Sequence, residues 1–196
     1  MTTEQRLEKI DRVVSSRQAN LCVVLEDVHD PHNAEAVFRS CDAFGVQDIH
    51  LVFDKQAEYN PQKIGKKTSS SANKWLDFYT YTSTEECMKE LKRSGWKCIA
   101  TTISDFAESI YTIQDNDTPL AIWLGNEHRG LSETAIQLAD AQCYIPMAGM
   151  VQSLNISVTA AILIYEITRQ RHTISAPKSL PLEIQERLRN DFITRQ

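Results

Sequence analysis

Short apolar runs alternate with amphipathic segments along most of this chain, and that alternation restricts its fold more than any other feature. The runs have the length of strands, and the segments between them carry apolar residues at helical spacing. Strands are predicted at 21–25, 49–53, 97–101, 120–124 and 143–147. Helices are predicted at about 33–44, 83–94, 132–139 and 153–170. The sequence therefore predicts an α/β fold with a mostly parallel sheet flanked by helices.

Polar helices are predicted near both ends of the chain. Residues 4–17 and 181–194 have amphipathic patterns, and Pro177 and Pro181 separate the second of them from the preceding helix. A length of 196 residues, 42% of them hydrophobic, suits one α/β core rather than two full domains. The predicted organisation is an N-terminal helical extension over 1–19, a central domain over 20–172 and a C-terminal helical extension over 173–196.

Several classes of protein are disfavoured because their sequence signatures are missing. The chain contains neither a G-x-G-x-x-G dinucleotide fingerprint nor a G-x-x-x-x-G-K-[ST] phosphate-binding loop. The five histidines lack the spacing and the carboxylate neighbours of a metal site, so no metal is expected. We expect neither secretion nor membrane insertion, because the apolar stretches have only strand length and none resembles a signal peptide.

Cysteine usage indicates the redox compartment. The five cysteines, at positions 22, 41, 87, 98 and 143, include no C-x-x-C pair, and most of them lie in apolar runs. Buried, reduced thiols are therefore expected rather than zinc ligands or disulfides, which predicts a location in the reducing cytoplasm.

A turn containing glycine and methionine leads into the last predicted helix of the central domain. The segment from Ile145 to Ala161 contains Gly149, followed by Ser153 and Asn155. Glycine lets the backbone approach a ligand closely, and free backbone groups in such a turn can hydrogen-bond a flat heterocycle. A helix N-cap after a buried strand explains Ser153 and Asn155 equally well. These residues alone leave both interpretations open.

Two further segments place polar residues just after predicted strands. In the first, Asn33 lies near a helix start and Arg39 follows six residues later. In the second, Leu124 ends an apolar run and Glu127 lies in the glycine-bounded loop that follows. Open α/β sheets bind their ligands at the carboxyl ends of strands, so both segments are candidates for a functional site. The alternatives are a helix cap for Asn33 and an exposed loop acid for Glu127.

The three segments together resemble the three motifs of the SPOUT superfamily of RNA 2′-O-ribose methyltransferases, in the same order. The matching residues are Asn33 with Arg39, then Leu124-Gly125-Asn126-Glu127 with Gly130-Leu131-Ser132, then Ile145-Pro146-Met147 with Gly149 and Ser153-Leu154-Asn155-Ile156-Ser157. The similarity is greatest to the TrmH-like enzymes that methylate guanosine 18 in the tRNA D-loop. It implies S-adenosylmethionine as cofactor, tRNA as partner, an obligate homodimer, and a deep C-terminal trefoil knot in the fold.

Two alternatives to this function stay open at the level of the sequence. The same chemistry can serve another tRNA position or ribosomal RNA. A chain that keeps the fold can also bind RNA without catalysis.

The resemblance also implies roles for individual residues. The implied catalytic residues are Asn33, Arg39, Glu127, Ser153 and Asn155. The implied cofactor-binding residues are Leu124, Gly125, Asn126, Glu127, Ile145, Met147, Gly149, Ser153 and Leu154. Arg39 of one subunit is expected to reach the cofactor pocket of the other.

The chemistry of Arg39 allows two accounts, because a guanidinium stays protonated and is a poor general base. In the first, a substrate phosphate held near Arg39 takes the proton of the 2′-hydroxyl. In the second, Arg39 orients that phosphate and stabilises the developing alkoxide. The sequence does not choose between them.

A formal net charge of −5 is unfavourable for RNA binding, which cationic contacts drive. Basic residues nevertheless cluster in the first helix, between residues 63 and 74, and after the last motif. The residues predicted to contact RNA are Arg6, Arg12, Arg17, Lys66, Lys67, Arg169 and Arg171. For each cluster taken alone, an ordinary solvated surface is the alternative.

Overall fold

A computed structural model describes residues 3–63, 72–113, 118–174 and 178–195. Within these ranges, seven parallel strands form one sheet with helices packed on both faces. The strands are β1 (Leu21–Glu26), β2 (Asp48–Val52), β3 (Asp77–Tyr81), β4 (Lys97–Thr101), β5 (Glu108–Ser109), β6 (Leu120–Leu124) and β7 (Ala141–Tyr144). The helices are α1 (Glu4–Ser15), α2 (Pro31–Ala43), α3 (Thr84–Arg93), α4 (Glu133–Leu138), α5 (Ile156–Ile174) and α6 (Leu182–Thr194), with short 3-10 helices at Pro61–Lys63 and Ala72–Trp75. The α/β class with a parallel sheet is confirmed.

The order of the strands decides which loops can meet. That order is β3-β2-β1-β6-β4-β7-β5, so β1 pairs with β2 on one side and β6 on the other, with Val23 opposite both Ile49 and Ile122. β4 lies between β6 and β7, with Ile99 opposite both Ile122 and Ala141. Since the strands are parallel, the carboxyl ends of β1, β6, β4 and β7 lie side by side at one edge of the sheet.

Three predicted element boundaries are wrong. The strand predicted over 143–147 ends at Tyr144, because Pro146 has no N–H to donate to a strand ladder. The helix predicted from residue 153 begins at Ile156. The helix predicted from residue 33 begins at Pro31, where a proline fits the first turn and the Asp30 side chain accepts the N–H of His32.

Two strands were not predicted from the sequence. β3 forms one end of the sheet, where Tyr79 is exposed and the strand carries no continuous apolar run. β5 has two residues and forms the opposite end. Strands that are covered on one side or are very short give weak hydrophobic patterns, which explains both omissions.

Alternate residues of the central strands face two separate hydrophobic layers. Leu21, Val23 and Leu25 of β1 pack in the layer that includes residues of α2 and α5. Cys22 and Val24 pack in the opposite layer, with residues of α3 and the start of α4. The period of two in burial follows from the alternation of side chains along a strand. Both faces of the sheet are thus covered, as expected for a parallel sheet.

The two terminal helices pack against each other rather than extending into solvent. α1 and α6 share a small third cluster, to which α1 contributes Ile10 and Val14 and α6 contributes Leu188 and Phe192. The division of the chain at residues 19 and 172 stays a prediction, and the second boundary falls inside α5.

Two arginines that were predicted to contact RNA lie inside the fold, which corrects that part of the prediction. Arg17 is 1% exposed, and it donates to Asp42 Oδ1 at 2.6 Å and to the Trp75 carbonyl at 3.2 Å. Arg171 is 3% exposed, and it donates to Asn20 Oδ1 at 2.7 Å and to the Asn20 carbonyl at 2.9 Å. Both guanidinium groups tie helical segments to the sheet and are shielded from phosphates.

The structure agrees with the expected state of the cysteines. All five thiols are buried and free. Burial raises the pKa of Cys98 to about 11 and that of Cys143 to about 12, so their thiols stay protonated at neutral pH. In the part of the chain that the structure describes, no cluster of side chains could hold a metal ion, and no helix has the length and apolarity needed to cross a membrane.

The burial of Arg17 predicts a large effect on stability. In Arg17→Met, Asp42 and the Trp75 carbonyl lose a buried charged donor, so the free energy of unfolding in urea should fall by about 3 kcal/mol or more. Arg12→Met, on the exposed face of α1, should change it by less than about 0.5 kcal/mol. Equal effects of the two substitutions would contradict this assignment.

Candidate active site

Three polar segments meet at the carboxyl edge of the sheet. They are the loop from β1 to α2, the loop after β6, and the segment between β7 and α5. Each begins where a neighbouring parallel strand ends, so the sheet order brings them together although they are far apart in sequence. This is the position at which open α/β sheets bind ligands.

The carboxylate of Glu127 connects two of these segments. Its Oε2 accepts the N–H of His29 at 2.9 Å, and its Oε1 accepts the N–H of Asp30 at 3.2 Å. The same Oε1 accepts Nδ2 of Asn33 at 2.9 Å. Three donors from the β1–α2 loop and the first turn of α2 therefore converge on one side chain from the β6 loop.

Asn33 extends this connection to the third segment. Its Oδ1 accepts Nδ2 of Asn155 at 3.0 Å, while Asn155 Oδ1 accepts the backbone N–H of Ser157 at 2.8 Å and its hydroxyl at 2.6 Å. Asn155 therefore caps α5, whereas Asn33 is not a cap, because Asp30 fills that position in α2. We refer to Glu127, Asn33 and Asn155 as the Glu127 network.

Hydrogen bonds keep the Glu127 carboxylate ionised. Burial by itself would raise the pKa of Glu127, but the donors from Asn33, His29 and Asp30 outweigh it and hold that pKa below the usual carboxyl value. A carboxylate that accepts from three donors and resists protonation is suited to positioning other groups rather than to taking a proton.

A cleft of about 300 Å³ opens beside the Glu127 network. Six of the predicted cofactor-binding residues line it: Leu124, Gly125, Ile145, Met147, Ser153 and Leu154. Leu154 is the chain neighbour of Asn155, and Gly125 precedes Glu127 by two residues, so the cleft and the network share two loops. The walls are mainly apolar, which suits a flat ring.

The sequence analysis missed several residues that line the cleft. Those from other elements are Thr101, Thr102, Ile103, Arg129, Gly130, Leu131, Ile136, Cys143, Tyr144, Ile156 and Thr159. The first three lie at the end of β4 and just after it, and they reach the cleft because β4 lies between β6 and β7. The Thr101-Thr102 pair at the end of an apolar run was the one available signal in the sequence.

Three residues predicted to bind the cofactor do not line this cleft. Asn126 is buried, where its Nδ2 donates to the Asp27 carbonyl at 2.7 Å and its Oδ1 accepts the N–H of His128 at 2.9 Å. Glu127 belongs to the network described above. Gly149 is exposed, and a Cβ built on it meets no atom within 4 Å, so the expected close approach of backbone to ligand is not seen there.

The glycine that does enable a close approach is Gly125. A Cβ at this position would lie 2.2 Å from the carbonyl carbon of Gly130 and from the nitrogen of Leu131. No side chain fits at that distance, so the loop after β6 can fold back on itself only with glycine here. Asn126 and Gly130 then exchange two backbone hydrogen bonds, of 3.0 and 2.8 Å, which close the turn.

The remaining predicted residues differ in how available they are. Arg39 is exposed on α2 and makes no hydrogen bond or ion pair with the described residues. Arg12 is exposed, whereas Arg6 is partly buried and donates to the Phe192 and Arg195 carbonyls. Arg169 is held by both oxygens of Glu166, at 2.8 and 2.7 Å. Lys66 and Lys67 lie outside the described residues.

Comparison with known proteins identifies the family. The SpoU rRNA Methylase family matches residues 20–165, which include all three segments of the site. The chain belongs to this family. The resemblance to TrmH-like members that was inferred from the motifs is confirmed by the relatives.

The relatives of this SpoU chain cover nearly its whole length. A tRNA (guanosine(18)-2′-O)-methyltransferase from Thermus thermophilus is 40% identical over 172 residues, which are 86% of this chain and 84% of the relative. The crystal structure of a TrmH/SpoU tRNA modifying enzyme from A. aeolicus superposes with a TM-score of 0.82 at 31% identity, covering 97% of this chain and 96% of that one. An AdoMet-bound rRNA methyltransferase from Sinorhizobium meliloti superposes with a TM-score of 0.70 at 25% identity, covering 85% and 61%.

The bonds to Glu127 predict a pH-dependent contribution to stability. Because the folded-state pKa is lowered, this contribution is present above the unfolded carboxyl pKa and is lost as the pH falls through the folded value. Glu127→Gln should therefore be less stable than wild type at about pH 7, and the gap should close towards about pH 3 in urea titrations. The exposed Glu58→Gln variant should show no such trend, and a constant gap for Glu127→Gln would exclude the assignment.

Proposed function

We propose that this chain transfers a methyl group from S-adenosylmethionine to a ribose 2′-hydroxyl of tRNA, at guanosine 18 of the D-loop. The observation that carries this proposal is the Glu127 network lying beside a mainly apolar cleft at the carboxyl edge of the sheet. Membership of the SpoU family and the activity named for the Thermus relative support it.

The cleft has the chemistry that S-adenosylmethionine requires. Leu124, Ile145 and Leu154 offer apolar walls for an adenine ring. Within the described part of the chain, the backbone groups of residues 145–154 make no hydrogen bonds, so they are free to bind the ring edge. When bound, the cofactor supplies a methyl group already activated by its sulfonium.

The residues of this chain then have to orient the ribose and assist loss of its proton. Arg39 is an exposed cation without a partner among the described residues, so it is available to hold a phosphate of the substrate. Held there, that phosphate can take the 2′-hydroxyl proton, or Arg39 can stabilise the alkoxide as charge develops. Glu127 positions Asn33, and Asn33 positions Asn155, next to the Ser153 and Leu154 that line the cleft.

We propose a homodimer with composite sites as the functional unit. α5 exposes Val158 and Tyr165, and the preceding segment exposes Met150 and Val151, which together offer an apolar surface to a second copy. In such a dimer Arg39 serves the cleft of its partner, in keeping with its lack of partners among the described residues of its own subunit. The trefoil knot and the cytoplasmic location stay predictions alongside this one.

Ribosomal RNA is the second candidate substrate. It is favoured by the SpoU family description and by the Sinorhizobium meliloti structure, which is named as an rRNA methyltransferase. The greater coverage and identity of the Thermus relative favour tRNA.

The test is to incubate the purified chain with labelled S-adenosylmethionine and unmodified tRNA or ribosomal RNA transcripts, and to locate the methyl group by nuclease digestion and mass spectrometry. We expect 2′-O-methylguanosine at position 18 of the tRNA. Cofactor binding without methylation of any transcript would indicate a non-catalytic RNA-binding protein.

Arg39→Ala should lower the rate of methyl transfer by at least about a hundredfold, because it removes the cation that holds the reacting phosphate. Affinity for S-adenosylmethionine, measured by calorimetry, should stay within a few-fold of wild type. Arg39→Lys should recover only part of the rate, since an ammonium cannot form the two parallel hydrogen bonds of a guanidinium. Full activity of Arg39→Ala would contradict the role.

Arg12 remains the best-placed exposed cation for RNA binding once Arg17 and Arg171 are excluded. Arg12→Ala should raise the Kd for tRNA and flatten its salt dependence by about 0.7 to 0.9 slope unit per lost phosphate contact. Lys89→Ala removes the same charge from an exposed pair with Glu85 on α3 and serves as the control. If both variants keep the wild-type slope, the α1 surface does not contact the RNA backbone.

A further inference from the structure

One cation lies among the uncharged residues of the cleft. Of the described residues that line it, Arg129 alone has a formal charge. The others are apolar side chains, glycines, threonines, a serine, a cysteine and a tyrosine. A guanidinium beside such a surface offers an oxyanion a strong partner, because the surrounding walls screen the charge less than water does. The position of Arg129 therefore calls for a ligand group of opposite charge.

The backbone of Arg129 is fixed although its side chain is not. The turn from Asn126 to Gly130 is closed by two backbone hydrogen bonds, and the Arg129 N–H donates to Asn126 Oδ1 at 3.2 Å. Gly130 adopts a φ of 69°, in the left-handed region that favours glycine. The side chain therefore starts from a rigid point at the rim of the cleft.

The Arg129 guanidinium has one loose neighbour among the described residues. Its Nη2 lies 3.9 Å from Asp27 Oδ2, beyond hydrogen-bond distance, and the side chain is 52% exposed. Asp27 is already engaged, since its Oδ1 accepts the N–H groups of Lys55 at 2.9 Å and Gln56 at 3.1 Å. Asp27 is thus a fixed carboxylate that keeps the guanidinium near the cleft without holding it tightly.

We propose that Arg129 binds the α-carboxylate of the methionyl part of S-adenosylmethionine, an inference that rests on the proposed function. The ligand has one carboxylate, and the described lining of the cleft has one cation to meet it. A guanidinium can donate two parallel hydrogen bonds to a carboxylate, which also fixes the orientation of the methionyl chain. Arg129 then acts as a positioning residue for the cofactor, and the contact with Asp27 is exchanged for a closer one on binding.

The test compares two ligands that differ only in the carboxylate. Calorimetry on the full chain would measure the Kd of S-adenosylmethionine and of decarboxylated S-adenosylmethionine. Arg129→Met should weaken binding of S-adenosylmethionine at least about tenfold and leave that of the decarboxylated ligand within about twofold. Arg129→Lys should recover part of the lost affinity, because it restores the charge.

Lys55→Met is the matched control. Lys55 is an exposed cation near Asp27 that does not line the cleft, so its loss should change neither Kd. Binding of the decarboxylated ligand also shows that each variant has kept an intact cleft.

Two results would overturn the inference while leaving the proposed function in place. Equal weakening of both ligands by Arg129→Met would mean that Arg129 only shapes the cleft. Unchanged affinity for both ligands, with a raised Kd for tRNA, would assign Arg129 to an RNA phosphate instead. If the wild-type chain bound neither ligand, the proposed function would fail together with the inference.

Discussion

The arrangement of the site depends on the hydrogen bonds to the Glu127 carboxylate. Loops at the end of a parallel sheet leave backbone N–H groups without strand partners, and Glu127 accepts two of them, from His29 and Asp30. These donors lie at the N-terminal end of α2, where the helix dipole favours a negative charge. The same carboxylate holds Asn33, which holds Asn155, which caps α5. One carboxylate thereby sets the relative positions of three segments and two helices.

The cleft follows from the same arrangement. The loop after β6 supplies Glu127 to the network and Gly125, Arg129 and Leu131 to the cleft. The segment before α5 supplies Asn155 to the network and Ser153 and Leu154 to the cleft. A ligand in the cleft therefore contacts the loops that the network positions. This explains how residues that do not line the cleft can still control the orientation of a substrate bound beside it.

Much of this architecture could be predicted from the sequence, and the exceptions have physical causes. Buried central strands such as β1 and β6 give continuous apolar runs, and the three motif segments could be located by their residues. The order of strands could not be predicted, because pairing is not encoded in local periodicity, so the residues after β4 were missed. The contacts of Glu127 with Asn33 and of Asn33 with Asn155 likewise depend on that order.

The prediction of RNA-binding arginines failed where tertiary contacts overrode surface propensity. Arg17 and Arg171 carry the charge that RNA binding needs, but carbonyl and side-chain acceptors inside the fold satisfy them. Gly149 shows the opposite error, since a glycine in an exposed turn was assigned to ligand contact although open space surrounds it. Residue type indicates what a side chain can do, while burial and partners decide whether it does so.

The most direct measurement is a double-mutant cycle on kcat/KM for methyl transfer, using Glu127→Gln, Asn155→Ala and the double variant. The two residues do not touch each other and are connected through Asn33. If the network acts as one unit, the double variant should be little worse than the poorer single variant, with a coupling energy of about 1 kcal/mol or more. Losses that add to within about 0.5 kcal/mol would contradict the account, since they would mean that Glu127 and Asn155 act independently.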